Sequence, residues 1–137
     1  MTWKNEKKSK ALLVVFGIYL ALLAWCILFK FALRPEEIPH LRGINLIPYA
    51  ASVVVNGKVQ ISEIIENMLV FLPFGLCISA FYPDSEIQNR ILLASGLSLF
   101  FEVTQYIFAI GASDITDVID NTLGAVIGIL LYLGMAW

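Results

Sequence analysis

An all-α integral membrane bundle of four transmembrane helices is the fold this sequence predicts, and two observations carry the prediction. Of its 137 residues 59% are hydrophobic and only 15% charged, with a mean hydropathy of +0.82, whereas soluble domains carry about a quarter charged residues. The apolar residues also gather into four long runs, about 11–31, 61–82, 90–110 and 116–136. Each is near the ~20 residues a helix needs to cross a bilayer, and a helix satisfies its own backbone groups, as lipid demands. The apolar excess exceeds what one water-soluble core of this length would use. The chain reads as a single domain, 1–137, with no internal repeat and no low-complexity tract.

The first run, from Ala11 to Phe29, holds no charge and follows Lys4, Lys7, Lys8 and Lys10. That order resembles a signal peptide, but the apolar core is longer than the ~7–15 residues of one and no small-x-small cleavage site follows. In Leu23-Ala24-Trp25-Cys26 a tryptophan stands where a lipoprotein cleavage site needs a small residue. A retained first helix is expected. The basic cluster argues for a cytoplasmic N-terminus, and four crossings return the C-terminus to the same side.

Arg34-Pro35 ends this helix, because proline lacks a donor and restricts the residue before it. A long outer loop, about Arg34 to Gln60, connects it to the second helix. Within that loop, Asn56-Gly57 between valine-rich stretches carries a hairpin signal; a loop resting on the lipid headgroups is nonetheless the expectation. Pro73 lies inside the second helix, where it removes a bond to the carbonyl of Leu69 and favours a bend for packing. Pro83 to Asn89 forms a short inner turn and Gly111 to Thr116 a short outer one. Cys26 and Cys77 read as core residues in separate helices, with no disulfide between them, and His40 as a solvated loop residue.

The polar residues are unevenly placed. Glu63, Glu66 and Asn67 start the second helix, Glu102 and Gln105 sit late in the third, and Asp114, Asp117, Asp120 and Asn121 open the fourth. Since the helices alternate in direction, all lie toward one membrane face. From the helical rise, Glu66 and Asn67 lie roughly 8–9 Å inside their helix start, Glu102 roughly 12 Å from its helix end and Asn121 roughly 10 Å along the last helix. Three helices thus deliver polar groups to similar depths. Ser98, Glu102 and Gln105 share one helical face, as do Asp117, Asn121, Gly124 and Gly128.

Each group has a structural reading beside a functional one. Asp114 suits the cap of the fourth helix, and Asp117 its first turn, where the helix dipole favours an acid. Gly124 and Gly128 suit close helix contact, while Asn67 and Gln105 could tie helices together. Glu102 is the hardest to explain structurally, because an acid inside the membrane costs roughly 2.5–3.5 kcal/mol on insertion scales. Glu102 and Asp117 are therefore the candidates for any catalytic role.

On the expected topology the outer side holds eight acids and four bases. Acids packed together raise one another's pKa unless a cation offsets them. Arg42, folded down from the loop, is the expected internal partner. A bound divalent cation, held by oxygen ligands, is the alternative, although the spacing matches no standard metal motif.

At this point the chain resembles the VanZ-like membrane family, named for a protein of glycopeptide (teicoplanin) resistance. The matching stretches are Arg42-Gly43-Ile44-Asn45-Leu46-Ile47-Pro48, Asn67 through Pro73-Phe74-Gly75, Glu102-Val103-Thr104-Gln105, and Asp114-Ile115-Thr116-Asp117 through Asn121 and Gly124 to Gly128. The family often carries an arginine shortly before the first aspartate of the last stretch, where this chain has Gly111 or Ala112. Arg42 then carries more of the charge balance. The resemblance implies a bacterial cell-envelope protein in the plasma membrane, linked to antibiotic resistance and acting near lipid-linked peptidoglycan precursors. It adds Asn45 to the candidate binding set, which becomes Arg42, Asn45, Glu66, Asn67, Glu102, Gln105, Asp114, Asp117 and Asn121.

Three functions fit these residues. The first is an envelope protein whose outer polar pocket binds a lipid-linked precursor or a lipid headgroup. The second is a membrane-embedded enzyme acting on such a lipid, with or without a divalent metal; no nucleophile with a positioned base is visible for it. The third is a small ion-coupled transporter, against which the uncharged first helix counts. Membrane lipids are the expected partners, and nucleic acid is not.

Overall fold

The computed structural model describes residues 3–30, 32–50, 54–55 and 58–135, with side chains described from residue 10 onward except at 54–59. Four long helices dominate it: α1 (Trp3–Phe29), α2 (Ile61–Phe81), α3 (Ile87–Phe108) and α4 (Ile115–Met135). The apolar segments Lys10–Phe29, Ile61–Phe81, Ile87–Phe108 and Ile115–Met135 are all long and apolar enough to span a membrane. The protein is a four-transmembrane-helix bundle. Outward-facing Leu22, Leu69, Leu92, Phe100, Ile107 and Leu130 are exposed, as lipid-facing side chains are when lipid is the solvent.

The interior is assembled from Leu23 and Ile27 of α1, Phe71, Phe74 and Ile78 of α2, Ala94 and Phe101 of α3, and Ala125 of α4. The tightest helix pair is α2 with α4. A methyl group added to Gly124 would overlap the Met68 carbonyl, one on Gly128 the Leu72 carbonyl, and one on Gly75 the Ala125 carbonyl. Lipid offers no hydrophobic drive between helices, so such backbone-to-backbone contact supplies the van der Waals packing instead. Polar ties add to it: the Tyr19 hydroxyl donates to the Val70 carbonyl at 2.6 Å, and Gln105 Nε2 to the Ile27 carbonyl at 2.8 Å. Helix α2 runs unbroken through Pro73.

At one end, α2 and α3 are joined by a short turn. Helix α3 begins at Ile87, a few residues before the expected start, because buried Arg90 reaches back into the turn. Its Nη2 donates to the carbonyls of Pro83 and Ser85, both at 2.7 Å.

The other end departs from the sequence reading in two places. The stretch taken for a simple turn contains strand β4 (Gly111–Asp114), which pairs in parallel with β1 (Arg42–Asn45) of the long loop. The register sets Arg42 opposite Gly111 and Asn45 opposite Asp114. Parallel strands need a long crossover, and here α2 and α3 supply it. The chain enters β4 through left-handed Ala109 (φ 52°), whose N–H and that of Ile110 bond to the last carbonyls of α3. The loop also forms an antiparallel hairpin rather than lying slack: β2 (Val54–Val55) pairs with β3 (Lys58–Val59). Asn56 and Gly57 lie outside the described residues. The strand pairing agrees with the Asn-Gly hairpin signal in the sequence.

Candidate functional site

Polar side chains concentrate at the end of the bundle that carries β1 and β4, and they divide into two groups. The first is a stitched network that fastens the loop to α3 and α4. Asp114 is its hub: its N–H donates to Glu102 Oε2 at 2.8 Å, and its Oδ1 accepts the Thr116 N–H at 2.7 Å, capping α4. Its Oδ2 accepts from Asn45 Nδ2 at 2.9 Å. Asn45 Oδ1 in turn accepts the Ile47 N–H at 3.1 Å, the short-range turn that asparagine favours. Farther along the loop, the Tyr49 N–H donates to Thr116 Oγ1 at 2.9 Å and the Tyr49 hydroxyl to Asp120 Oδ1 at 2.8 Å. The bond to Asp120 stabilises the neutral phenol and raises the Tyr49 pKa, and partial burial adds to the shift.

Arg42 belongs to this network but not in the expected way. It does not fold down onto the acids. Its Nε donates to the Tyr106 carbonyl and its Nη2 to the Ile107 carbonyl, both at 3.0 Å, with the guanidinium 5.3 Å from the Tyr106 ring centroid. The carbonyls at the end of α3 carry the negative end of the helix dipole and have lone pairs to spare, Tyr106's taking the Ala109 N–H as well. The β1–β4 register puts Arg42 beside them, so they take the guanidinium. An apolar crevice of about 190 Å³ opens beside the network, lined by Ile44, Leu46, Leu99, Val103, Tyr106 and Ile115, with Glu102 among its walls.

The second group lines a cleft of about 170 Å³ between α1, α2 and α4, walled by Cys26, Ile27, Lys30, Glu63, Glu66, Asn67, Asp117 and Asn121. Asp117 is central: Oδ1 accepts from Asn67 Nδ2 at 2.9 Å, and Oδ2 faces Lys30 Nζ at 3.4 Å. Burial depresses the Lys30 pKa, but attraction by Asp117, then Glu102 and Glu63, outweighs it and leaves the ammonium above the usual lysine range. Lys30 thus stays charged at neutral pH. Deeper in, Asn121 Nδ2 donates to Ser98 Oγ at 2.8 Å. Asn121 Oδ1, Glu102 Oε1 and Gln105 Oε1 are buried without a hydrogen-bond partner among the described residues.

The structure therefore brings Glu66, Asn67, Asp117 and Asn121 together in one cleft. It places Arg42, Asn45, Glu102 and Asp114 in the adjoining network, and uses Gln105 to tie α3 to α1. Sequence reasoning missed Lys30 as the cation of the cleft. Its signal was available, a lone base one residue past an uncharged span and on the acidic face. Tyr49 was missed as a partner, and nothing in its local sequence marks it; Ser98 was placed on the face of Glu102 and Gln105, but its pairing with Asn121 was not foreseen. Among the described residues no group of three His, Cys, Asp or Glu side chains could hold a metal ion.

A membrane-spanning bundle whose polar side chains collect at one end, partly as a loop-fastening network and partly as an open charged cleft, defines the class. Comparison with known proteins narrows it. The VanZ/LLP1 family model matches residues 16–136, and the chain belongs to that family. It is 38% identical over 120 residues to Protein VanZ of Enterococcus faecium, across 86% of this chain and 71% of that one. No solved structure matches it.

Proposed function

We propose that the protein is a cell-envelope membrane protein that binds a lipid headgroup or a lipid-linked envelope precursor in the Lys30–Asp117 cleft, and that it contributes to glycopeptide resistance of the teicoplanin type. The observation that carries the reading is the cleft itself. It is a charged recess at the end of a four-span bundle, with a half-exposed ammonium (Lys30 side chain, 48%) paired to a more buried carboxylate (Asp117, 13%). Such a recess lies at headgroup depth, where a lipid's polar part meets protein while its chains remain in the bilayer. The relationship to Protein VanZ supports the link to resistance. The basic residues before α1 support an inner location for both termini in the plasma membrane, which turns the cleft outward.

Expression in a susceptible bacterium, with teicoplanin susceptibility measured for wild type and Asp117→Leu, tests the reading. Lipids that co-purify with each should be identified alongside. Wild type is expected to raise the inhibitory concentration and retain a phosphate-bearing lipid, with both effects lost in Asp117→Leu at equal expression. Unchanged resistance and lipid content in the variant would refute the role of the cleft. Cysteine labelling at exposed Glu36 in intact cells checks the orientation, and labelling only after permeabilisation reverses it.

A further inference from the structure

The cleft has hydrogen-bond acceptors left over. An asparagine side chain has an NH2 that donates and an oxygen that accepts. Both cleft asparagines turn their nitrogens to the protein, Asn67 to Asp117 and Asn121 to Ser98. Asn121 Oδ1 is left fully buried and unpartnered on a residue that lines the cleft. Glu63 and Glu66 add two carboxylates at the rim, which make no hydrogen bond or close ion pair among the described residues, although Glu63 lies near enough to attract Lys30. Beyond Lys30 and the second N–H of each asparagine amide, the cleft offers lone pairs and negative charge. A buried polar atom normally has a partner, and an exception calls for a reason.

We infer that the cleft takes up the primary ammonium group of a phosphate-bearing lipid, with the ammonium held by Asn121 Oδ1 and the carboxylates of Asp117, Glu63 and Glu66, and the phosphate held by Lys30. This rests on the headgroup reading above and names its chemistry. An ammonium presents three N–H donors to acceptors that have none, and its charge offsets the acid excess. A trimethylated nitrogen has the charge but no donors; a glycerol headgroup has donors but no charge. A bare phosphate would be repelled by three carboxylates facing one lysine. Lys30 uses one ion pair on Asp117 and is half-exposed, so further N–H groups remain for a phosphate at the rim. The combination matches a phosphoethanolamine-type headgroup. The free side-chain amine on the peptide of a lipid-linked precursor shares the ammonium.

The test uses the full chain, purified in maltoside detergent, stripped of lipid and titrated with dioleoyl phosphatidylethanolamine, phosphatidylcholine and phosphatidylglycerol, with binding read by native mass spectrometry. A parallel arm uses a lipid-linked peptide precursor with its side-chain amine free or acetylated. The ammonium lipid is expected to bind about tenfold tighter than the other two phospholipids, the size of a lost charge-assisted hydrogen bond. Glu63→Gln with Glu66→Gln, two changes at exposed positions, should shrink that preference. Lys30→Met should weaken all three lipids while keeping their order. Tighter binding of the free-amine precursor than of phosphatidylethanolamine, abolished by acetylation, supports the ammonium and assigns its source to the precursor. Equal binding of all three phospholipids, with acetylation making no difference, overturns the ammonium inference and leaves the headgroup reading standing. No binding of any lipid overturns both.

Discussion

Glu102 offers the sharpest test of how the polar end is held. It is 4% exposed within α3, and its Oε2 accepts the N–H of Asp114, the residue that caps α4. Charge and hydrogen bond can be separated at this position. Glu102→Gln keeps an oxygen for the Asp114 N–H and removes a carboxylate from the membrane interior. A neutral bond replaces a charge-assisted one, at a loss of about 1 kcal/mol, while the cost of burying the charge falls; the net change should lie within about 1 kcal/mol of zero. Glu102→Leu keeps the bulk but strands a buried donor, which costs about 1–3 kcal/mol. Loosening the Asp114 cap adds about 1 kcal/mol more. Unfolding of the purified chain in mixed micelles by added sodium dodecyl sulfate, followed by circular dichroism, measures both. If Gln and Leu destabilise equally, by more than about 2 kcal/mol, the charge rather than the acceptor holds the turn, and the argument fails.

Other outcomes follow from the same geometry. Gly124→Ala should destabilise the bundle by about 1–3 kcal/mol or more, because its methyl meets the Met68 backbone. Gly96→Ala, with nothing near the added carbon, should instead be neutral or stabilising by the same unfolding assay. Arg42→Gln should cost about 1 kcal/mol through its lost bonds to the end of α3, and no charge reversal at Asp117 or Glu102 should rescue Arg42→Glu. Tyr49 has a raised folded-state pKa, so its contribution is fully present below the unfolded value of about 10 and is lost as pH rises through the folded one. Tyr49→Phe should remove that alkaline loss, and ultraviolet titration should show one fewer late-ionising tyrosine in the variant than in wild type.

The sequence by itself determined the membrane class, the number of spans and their limits to within a few residues, because length and apolar content decide what lipid accepts. It also identified the end where the polar groups gather, since alternating helix direction places Glu66, Asn67, Glu102, Asp117 and Asn121 toward one face whatever else the chain does. The glycines of α4 were readable as contact positions for the same reason: helical periodicity puts Gly124 and Gly128 on one side. Which of these residues touch was decided only by tertiary structure. The parallel pairing of β1 with β4 joins segments separated by two membrane crossings, and no local pattern in Gly111–Asp114 announces a strand. That register carries Arg42 to the carbonyls at the end of α3, away from the acids, and sets Asn45 against Asp114. With Arg42 so engaged, charge balance in the cleft falls to Lys30, which α1 delivers beside Asp117. Local sequence sets each helix and each residue's depth; pairing across the bundle depends on backbone donors and acceptors that become neighbours only when the loop closes over the helix ends.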